Sequence, residues 1–165
     1  MKQQMQLDTS DKTRNKTRIA VALVALRGSQ VMLGKRHNTS HMDGCFSQPG
    51  GHVFEFETCL HAMQREAKEE CGVSLTDEDL TLIGVMHHNS PPFDCVHFIF
   101  TSDFINQVPV NMEPHKCESW QFFNLDDLPS PIDSYVKKIL EMAITQTAKP
   151  VLEYGWQEED TRKKE

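Results

Sequence analysis

From Arg18 the chain runs RIAVALVALRG, a nearly unbroken apolar stretch that stops at Gly28-Ser29 and resumes as QVMLGKR. Its length, its Val and Leu content and the Gly stop predict two strands joined by a tight turn. The next stretch, HNTSHMDGCFSQPGGHV, is dense in Gly, Ser, Asn and Pro, and loops of that composition carry sites more often than cores. From Thr58 to Cys71 there is no Gly or Pro, and Leu60, Met63, Ala67 and Cys71 recur at i, i+3, i+7 and i+11. That period predicts an amphipathic helix, with Thr58 near its start and Gly72 as its stop. LTLIGVMHH at 80–88 and DCVHFIFTS at 94–102 predict a strand pair around the turn NSPPF, and CESWQFFNL predicts a further strand followed by the loop LDDLPSP. A second amphipathic helix is predicted over Ser134 to Thr147, with Val136, Ile139, Leu140 and Ala143 inward. Strands in pairs with helices inserted between them predict an α/β or α+β domain with a mixed sheet.

Composition narrows the function classes. At 165 residues the chain is sized for one domain. Seventeen Lys and Arg against 24 Asp and Glu leave a net charge of −7. An acidic chain is poorly suited to neutralising many nucleic-acid phosphates, so no stable nucleic-acid partner is expected. The charge is unevenly placed: residues 1–18 carry five basic and two acidic groups and residues 153–165 three basic and five acidic, so the stretch between holds the acidic excess. No run reaches the roughly 18 apolar residues of a membrane span, and no membrane partner is expected. MKQQMQLDTSDKTRNK lacks the apolar core of a secretory signal. The expected division is a disordered leader over 1–17, the domain over 18–150 and a charged tail over 151–165. Cys45, Cys59, Cys71, Cys95 and Cys117 are odd in number and widely spaced, without a CxxC pair, which points to reduced thiols in a cytoplasmic, intracellular setting.

The chemistry is concentrated in Arg65-Glu66-Ala67-Lys68-Glu69-Glu70. Glu66, Glu69 and Glu70 stand at i, i+3 and i+4, a spacing that destabilises like charges by a few tenths of a kcal/mol per pair. A hard divalent cation with oxygen ligands, Mg²⁺ above all, is the natural compensation. Upstream, Pro49-Gly50-Gly51 makes a tight turn through which a backbone carbonyl can approach a ligand.

Unbroken from Gly51 to Val73, GHVFEFETCLHAMQREAKEECGV resembles the Nudix box GX5EX7REUXEEXGU at every fixed position: Gly51, Glu57, Arg65, Glu66, Glu69, Glu70 and Gly72, with Ala67 and Val73 at the U positions. The resemblance implies an α/β/α sandwich with a mixed sheet. It also implies a pyrophosphohydrolase that cleaves a nucleoside diphosphate linked to another group, using Mg²⁺ or Mn²⁺. It makes Glu66 and Glu70 metal ligands, Glu69 a ligand directly or through water, the Gly50 carbonyl a backbone ligand, and Glu57 with Arg65 the ion pair that ties loop to helix. In MutT-like relatives the catalytic base falls at the position of Glu66, although the base differs between branches.

NMEPHKCESW at 111–120, followed by QFFNLDDLP, is similar to MutT-like nucleoside triphosphate pyrophosphatases, closest to the branch acting on oxidised or thiolated guanine nucleotides. That comparison makes Glu113 a further metal-binding carboxylate and Lys35 and Arg36 phosphate contacts. Among the aromatic residues available to stack on a base (Phe46, Phe93, Trp120, Phe122 and Tyr154), Trp120 ranks first. The expected reaction is Mg²⁺-dependent hydrolysis of a nucleoside triphosphate, with oxidised or modified purine deoxynucleotides in view, to the monophosphate and pyrophosphate, a nucleotide-pool sanitising role. ADP-ribose, a dinucleoside polyphosphate or a nucleotide sugar are the alternative substrates, and a non-catalytic nucleotide-binding module is the alternative of another class. The expected assembly is a monomer or homodimer. Two departures stand inside the box: relatives commonly have Gly immediately before the first box Glu, where this chain has Phe56, which is expected to alter the turn and to pack against substrate or a neighbouring loop, and Ala67 stands where a larger aliphatic is frequent, a milder change. His87, His88, Cys95 and His97 fit no common structural-zinc spacing.

Overall fold

The computed structural model describes residues 16–103, 107–145 and 150–156. The order of elements is β1 (Arg18–Arg27), β2 (Gln30–Arg36), β3 (Phe46–Ser47), β4 (Gly50–His52), α1 (Cys59–Cys71), β5 (Thr81–Ser90), β6 (Phe93–Asp103), β7 (Cys117–Asn124), α2 (Ser134–Thr145) and β8 (Val151–Tyr154), with a short 3₁₀ turn at Asp77–Asp79. The sheet runs β3-β2-β1-β6-β5-β8, with β4 added to β1 and β7 to β2. It is mixed: β1 is parallel to β6 and β8 to β5, while the remaining pairs are antiparallel.

The unbroken apolar run of β1 has its cause in this layering. Val21, Leu23 and Ala25 face the core under α1, while Ala22 and Val24 face the core under α2, so both faces of the strand are covered. The helix α1 contributes Ala62, Met63, Ala67 and Cys71 to the first core; α2 contributes Val136, Ile139, Leu140 and Met142 to the second. The result is the α/β/α sandwich with a mixed sheet.

Two stretches differ from the sequence expectation. Strands β5 and β6 continue to Ser90 and from Phe93, so the turn shrinks to Pro91-Pro92. The expected end of α2 at Thr147 falls outside the described residues, as does nearly all of the leader expected over 1–17. Val151–Tyr154, placed in the charged tail by composition, is a strand of the sheet: it lies parallel to β5, pairing Val85 with Val151 through His88 with Tyr154. Its alternating half-buried pattern over four residues is too short to stand out beside the acidic run that follows.

The topology opens a gap where the site forms. β1 pairs with β2 only at the hairpin end, Leu26 with Val31 and Arg27 with Gln30. Further along, β1 takes β4 instead, with Val21 opposite Gly51. Residues 48–51 therefore wedge between the diverging strands, secured by the Leu23 N–H to the Pro49 carbonyl at 2.9 Å.

Candidate metal and phosphate site

Two local devices fix α1 beside this wedge. Thr58 caps its start, its hydroxyl oxygen accepting from the His61 N–H at 3.2 Å. Gly72 ends it with φ +67, and the Gly72 and Val73 N–H groups close onto the Lys68 and Ala67 carbonyls at 3.1 and 3.2 Å. Both ends being set, the carboxylates of the second and third turns are aimed at residues 50 and 51.

Glu70 accepts a 2.9 Å hydrogen bond from the Gly50 N–H through Oε2. Burial pushes its carboxyl up to about 8, with Glu66 and Glu113 adding like-charge repulsion against the Gly50 bond and Arg36. Glu66 is also raised, first by burial, although Arg65 Nη1 donates to its Oε1 at 2.7 Å. Gly51 is a glycine because of Glu66: a Cβ there would run into the Glu66 carboxylate. Gly50, at φ +153, has no room for one either, since it would meet the Val21 carbonyl.

Arg65 is the organiser. Its Nε and Nη2 donate to the two carboxylate oxygens of Glu57 at 2.8 and 3.0 Å, Nη2 also reaches the His52 carbonyl at 3.0 Å, and Nη1 reaches Glu66 and Glu69. The guanidinium plane lies 4.0 Å from the centre of the Phe54 ring. This fork geometry is one a lysine cannot reproduce. Arg65 holds the Glu57 carboxyl below its ordinary range.

The three helix carboxylates do not act as one face. Glu66 is 13% exposed and turned toward Gly51, whereas Glu69 is 54% exposed and paired to Arg65 at 3.1 Å. Adjacent residues are rotated by about 100° around a helix, so Glu69 and Glu70 cannot both point inward. Glu113 lines a small crevice together with Glu70 and Trp120 and accepts from Lys116 Nζ at 2.7 Å. Among the described residues no three His, Cys, Asp or Glu side chains are gathered as a finished metal cage; Arg65, Lys116 and the Gly50 amide occupy the carboxylates instead. The donor set nevertheless fits a hard cation: buried oxygens of Glu66 and Glu70, a glycine cradle that any side chain would fill, and Glu113 close enough to raise both.

The remaining predicted residues divide. Arg36 lines both the crevice and a larger neighbouring cavity, its Nε donating to the His41 carbonyl at 3.0 Å. Lys35 lines neither and pairs with Glu118 at 3.1 Å. Trp120 lines the crevice, but its indole N–H donates to the Glu70 carbonyl at 3.0 Å and its ring occupies the space over Gly34. It braces the end of α1. The other aromatic candidates have partners as well: Phe46 with Phe123, Phe93 beneath Arg18, Phe122 beneath Arg27 and Tyr154 against His88. Phe56 packs against no loop: it is 99% exposed at φ +63, a left-handed conformation that glycine adopts without strain.

Sequence reasoning missed the larger cavity, about 540 Å³, which adjoins Gly50 and Gly51. Its wall includes His88, His97, Tyr135 and Gln48. The His88 and Tyr135 rings stack at 5.4 Å with 23° between planes, and His97 lies 5.8 Å from Tyr135. Burial pushes His97 down to about 4 and lowers His88, so both imidazoles are neutral near pH 7. The available signal was a histidine, His97, set among the apolar residues Val96, Phe98, Ile99 and Phe100 of β6.

Comparison with known proteins agrees with this fold. A model described as NUDIX domain matches residues 16–142. The chain is 32% identical over 78 residues to an 8-oxo-dGTP diphosphatase from Proteus vulgaris, covering 47% of this chain and 68% of that protein. It is 33% identical over 116 residues to an ADP-ribose pyrophosphatase from Methanocaldococcus jannaschii (strain ATCC 43067 / DSM 2661 / JAL-1 / JCM 10045 / NBRC 100440), covering 67% of this chain and 64% of that protein, so it spans about two thirds of each relative's length. The crystal structure of a MutT NUDIX hydrolase from Burkholderia pseudomallei superposes with a TM-score of 0.70 and 28% identity, over 78% of this chain and 98% of that one.

Proposed function

The chain belongs to the Nudix family, and on that premise we propose that it is a Mg²⁺-dependent pyrophosphohydrolase that converts a nucleoside triphosphate to the monophosphate and pyrophosphate. Oxidised or otherwise modified purine deoxynucleotides are the preferred substrate class. The observation that carries this reading is the pair of enclosed carboxylates, Glu66 and Glu70, set against Gly50 and Gly51 and fixed by Arg65. A sensor that only bound nucleotides would have no use for mutually repelling carboxylates buried at this cost.

Glu66 and Glu70, with the Gly50 carbonyl and Glu113, would hold the cation. The chemistry a bound Mg²⁺ or Mn²⁺ supplies is neutralisation of the phosphate oxygens and Lewis acidity at phosphorus. The protein's own contribution is positional. Arg65 engages Oε1 of Glu66, leaving Oε2 to accept the proton of the attacking water. As the new O–P bond forms, the phosphoanhydride bond breaks and pyrophosphate leaves. Arg36 lines both crevice and cavity, which supports a role for its guanidinium in meeting the polyphosphate. Glu69 stays outside and completes the hold on Arg65.

A second reading has a specific observation behind it: the relative named ADP-ribose pyrophosphatase matches the longer stretch of this chain. Both readings use the same carboxylates and differ in what occupies the cavity. The deciding experiment measures kcat/KM, with and without Mg²⁺, for nucleoside triphosphates, their oxidised analogues, ADP-ribose and dinucleoside polyphosphates. Highest kcat/KM on a triphosphate with release of pyrophosphate supports the first reading; highest kcat/KM on ADP-ribose supports the second. Zero turnover across the panel overturns both and leaves a binding module.

A further inference from the structure

Gln48 stands at the joint between the carboxylate crevice and the larger cavity and lines both. The residue is 7% exposed, and its side-chain Oε1 has no hydrogen-bond partner among the described residues. A buried carbonyl oxygen left without a donor is costly and uncommon in native proteins, and calls for an explanation. The nearest hydroxyl does not supply the donor: Ser47 Oγ donates to the Gln48 backbone carbonyl at 3.3 Å, and Oε1 is left unused.

The wall beside Gln48 is aromatic and uncharged, formed by the stacked His88 and Tyr135 rings together with His97. At about 540 Å³ the cavity falls within the roughly 300–1,000 Å³ of small-molecule sites. It borders Gly50 and Gly51, so a ligand whose phosphates lie at Glu66 and Glu70 must send its other end toward this wall or into solvent. Arg36 serves both spaces and marks the passage between them.

We propose that the nucleotide base lies in this cavity against the His88–Tyr135 wall, and that Gln48 Oε1 selects bases that present an N–H donor to it. The inference rests on the hydrolase reading above and adds the residue that reads the base. A site whose buried acceptor is satisfied only by the right ligand rejects an analogue lacking the donor more strongly than an apolar pocket could.

Inosine triphosphate carries a ring N–H that purine riboside triphosphate lacks. With Mg²⁺ and the full chain, kcat/KM should favour inosine triphosphate by about tenfold, the worth of one satisfied buried hydrogen bond. In Gln48→Leu that ratio should fall toward one, chiefly through a higher KM for inosine triphosphate. Gln48→Met, a second uncharged replacement of similar length, should behave alike, and thermal melts establish that both variants fold. Binding of the uncharged nucleosides inosine and purine riboside, followed by calorimetry without metal, provides a readout independent of catalysis. Tighter binding of inosine that is lost in Gln48→Leu supports the assignment. An unchanged preference in both variants, or equal or undetectable binding of the two nucleosides, overturns it while hydrolysis persists. Loss of hydrolysis on every nucleotide instead strikes the underlying reading, and nucleoside binding then judges this inference alone.

Discussion

Replacing Gly51 with Ala isolates the position of one carboxylate. Gly51 lies in β4 opposite Val21, and its φ is outside the left-handed range, so the backbone accepts an alanine without strain. The added Cβ would instead meet the Glu66 carboxylate, standing 2.6 Å from its carbon and 2.9 Å from Oε2, and nearer still to Oε1. Ordinary carbon contacts begin near 3.5 Å, so the carboxylate must withdraw by about 1 Å. A displacement of that size in a positioned group costs about 10²-fold in rate, or roughly 2.7 kcal/mol of transition-state stabilisation. Stability should barely change, because the conformational entropy removed from the unfolded chain, worth about 0.4–1 kcal/mol, opposes the strain on the Arg65–Glu66 bond. The assay is pyrophosphate release under kcat/KM conditions, paired with a thermal melt. Gly28→Ala is the control with the opposite signature: φ is +59 and no atom lies within 4 Å of the new Cβ, so it should lose about 1 kcal/mol of stability and no activity. Gly51→Ala retaining activity within twofold would refute the claim that Glu66 must sit against β4.

Other perturbations test the same framework. Arg65→Lys keeps the charge but loses the fork that holds Glu57, Glu66 and the His52 carbonyl, and should lower kcat/KM at least tenfold with a reduced Tm. Glu70→Gln should reduce turnover by orders of magnitude with little loss of fold, and chelation of divalent metal should abolish turnover reversibly; near-normal rates in either case would remove the metal assignment. Phe56→Gly relieves a left-handed phenylalanine that is 99% exposed, and should leave activity unchanged while raising stability by up to about 1 kcal/mol in denaturant titrations. His97 is held down to about 4 in the folded chain against about 6.5 when unfolded. The unfolded state therefore binds the extra proton between those values, so this contribution is present above pH 6.5 and is lost as pH falls toward 4. The loss is at most about 3 kcal/mol; urea unfolding at pH 7.5 and 5 should show it in the wild type and show it diminished in His97→Gln.

Much of the framework was legible along the chain because it depends on neighbours in sequence. The i, i+3, i+7, i+11 apolar period, the Thr58 cap and the Gly72 stop are decided within one or two helical turns, and they fix where α1 begins, ends and faces. The spacing of Gly51, Glu57, Arg65, Glu66 and Glu70 likewise carried the loop–helix platform. What it could not separate was Glu69 from Glu66 and Glu70, since the choice of which carboxylate turns inward follows from how α1 docks on the sheet. Trp120 was seen as an aromatic residue free to stack, yet the antiparallel register that places it opposite Gly34 commits its N–H to the Glu70 carbonyl.

The cavity lay beyond sequence reasoning for a physical reason. Gln48, His88, His97 and Tyr135 come from the wedge after β3, from β5, from β6 and from the first turn of α2, and no local periodicity links them. They meet because β1 parts from β2 to admit β4, and because the parallel pairing of β1 with β6 sets His97 opposite Ala20. The sequence by itself determined the helix platform and its acidic chemistry, which short-range spacing encodes; the tertiary structure alone decided which acids are buried and what stands beside them, because strand register brings together residues that are distant along the chain.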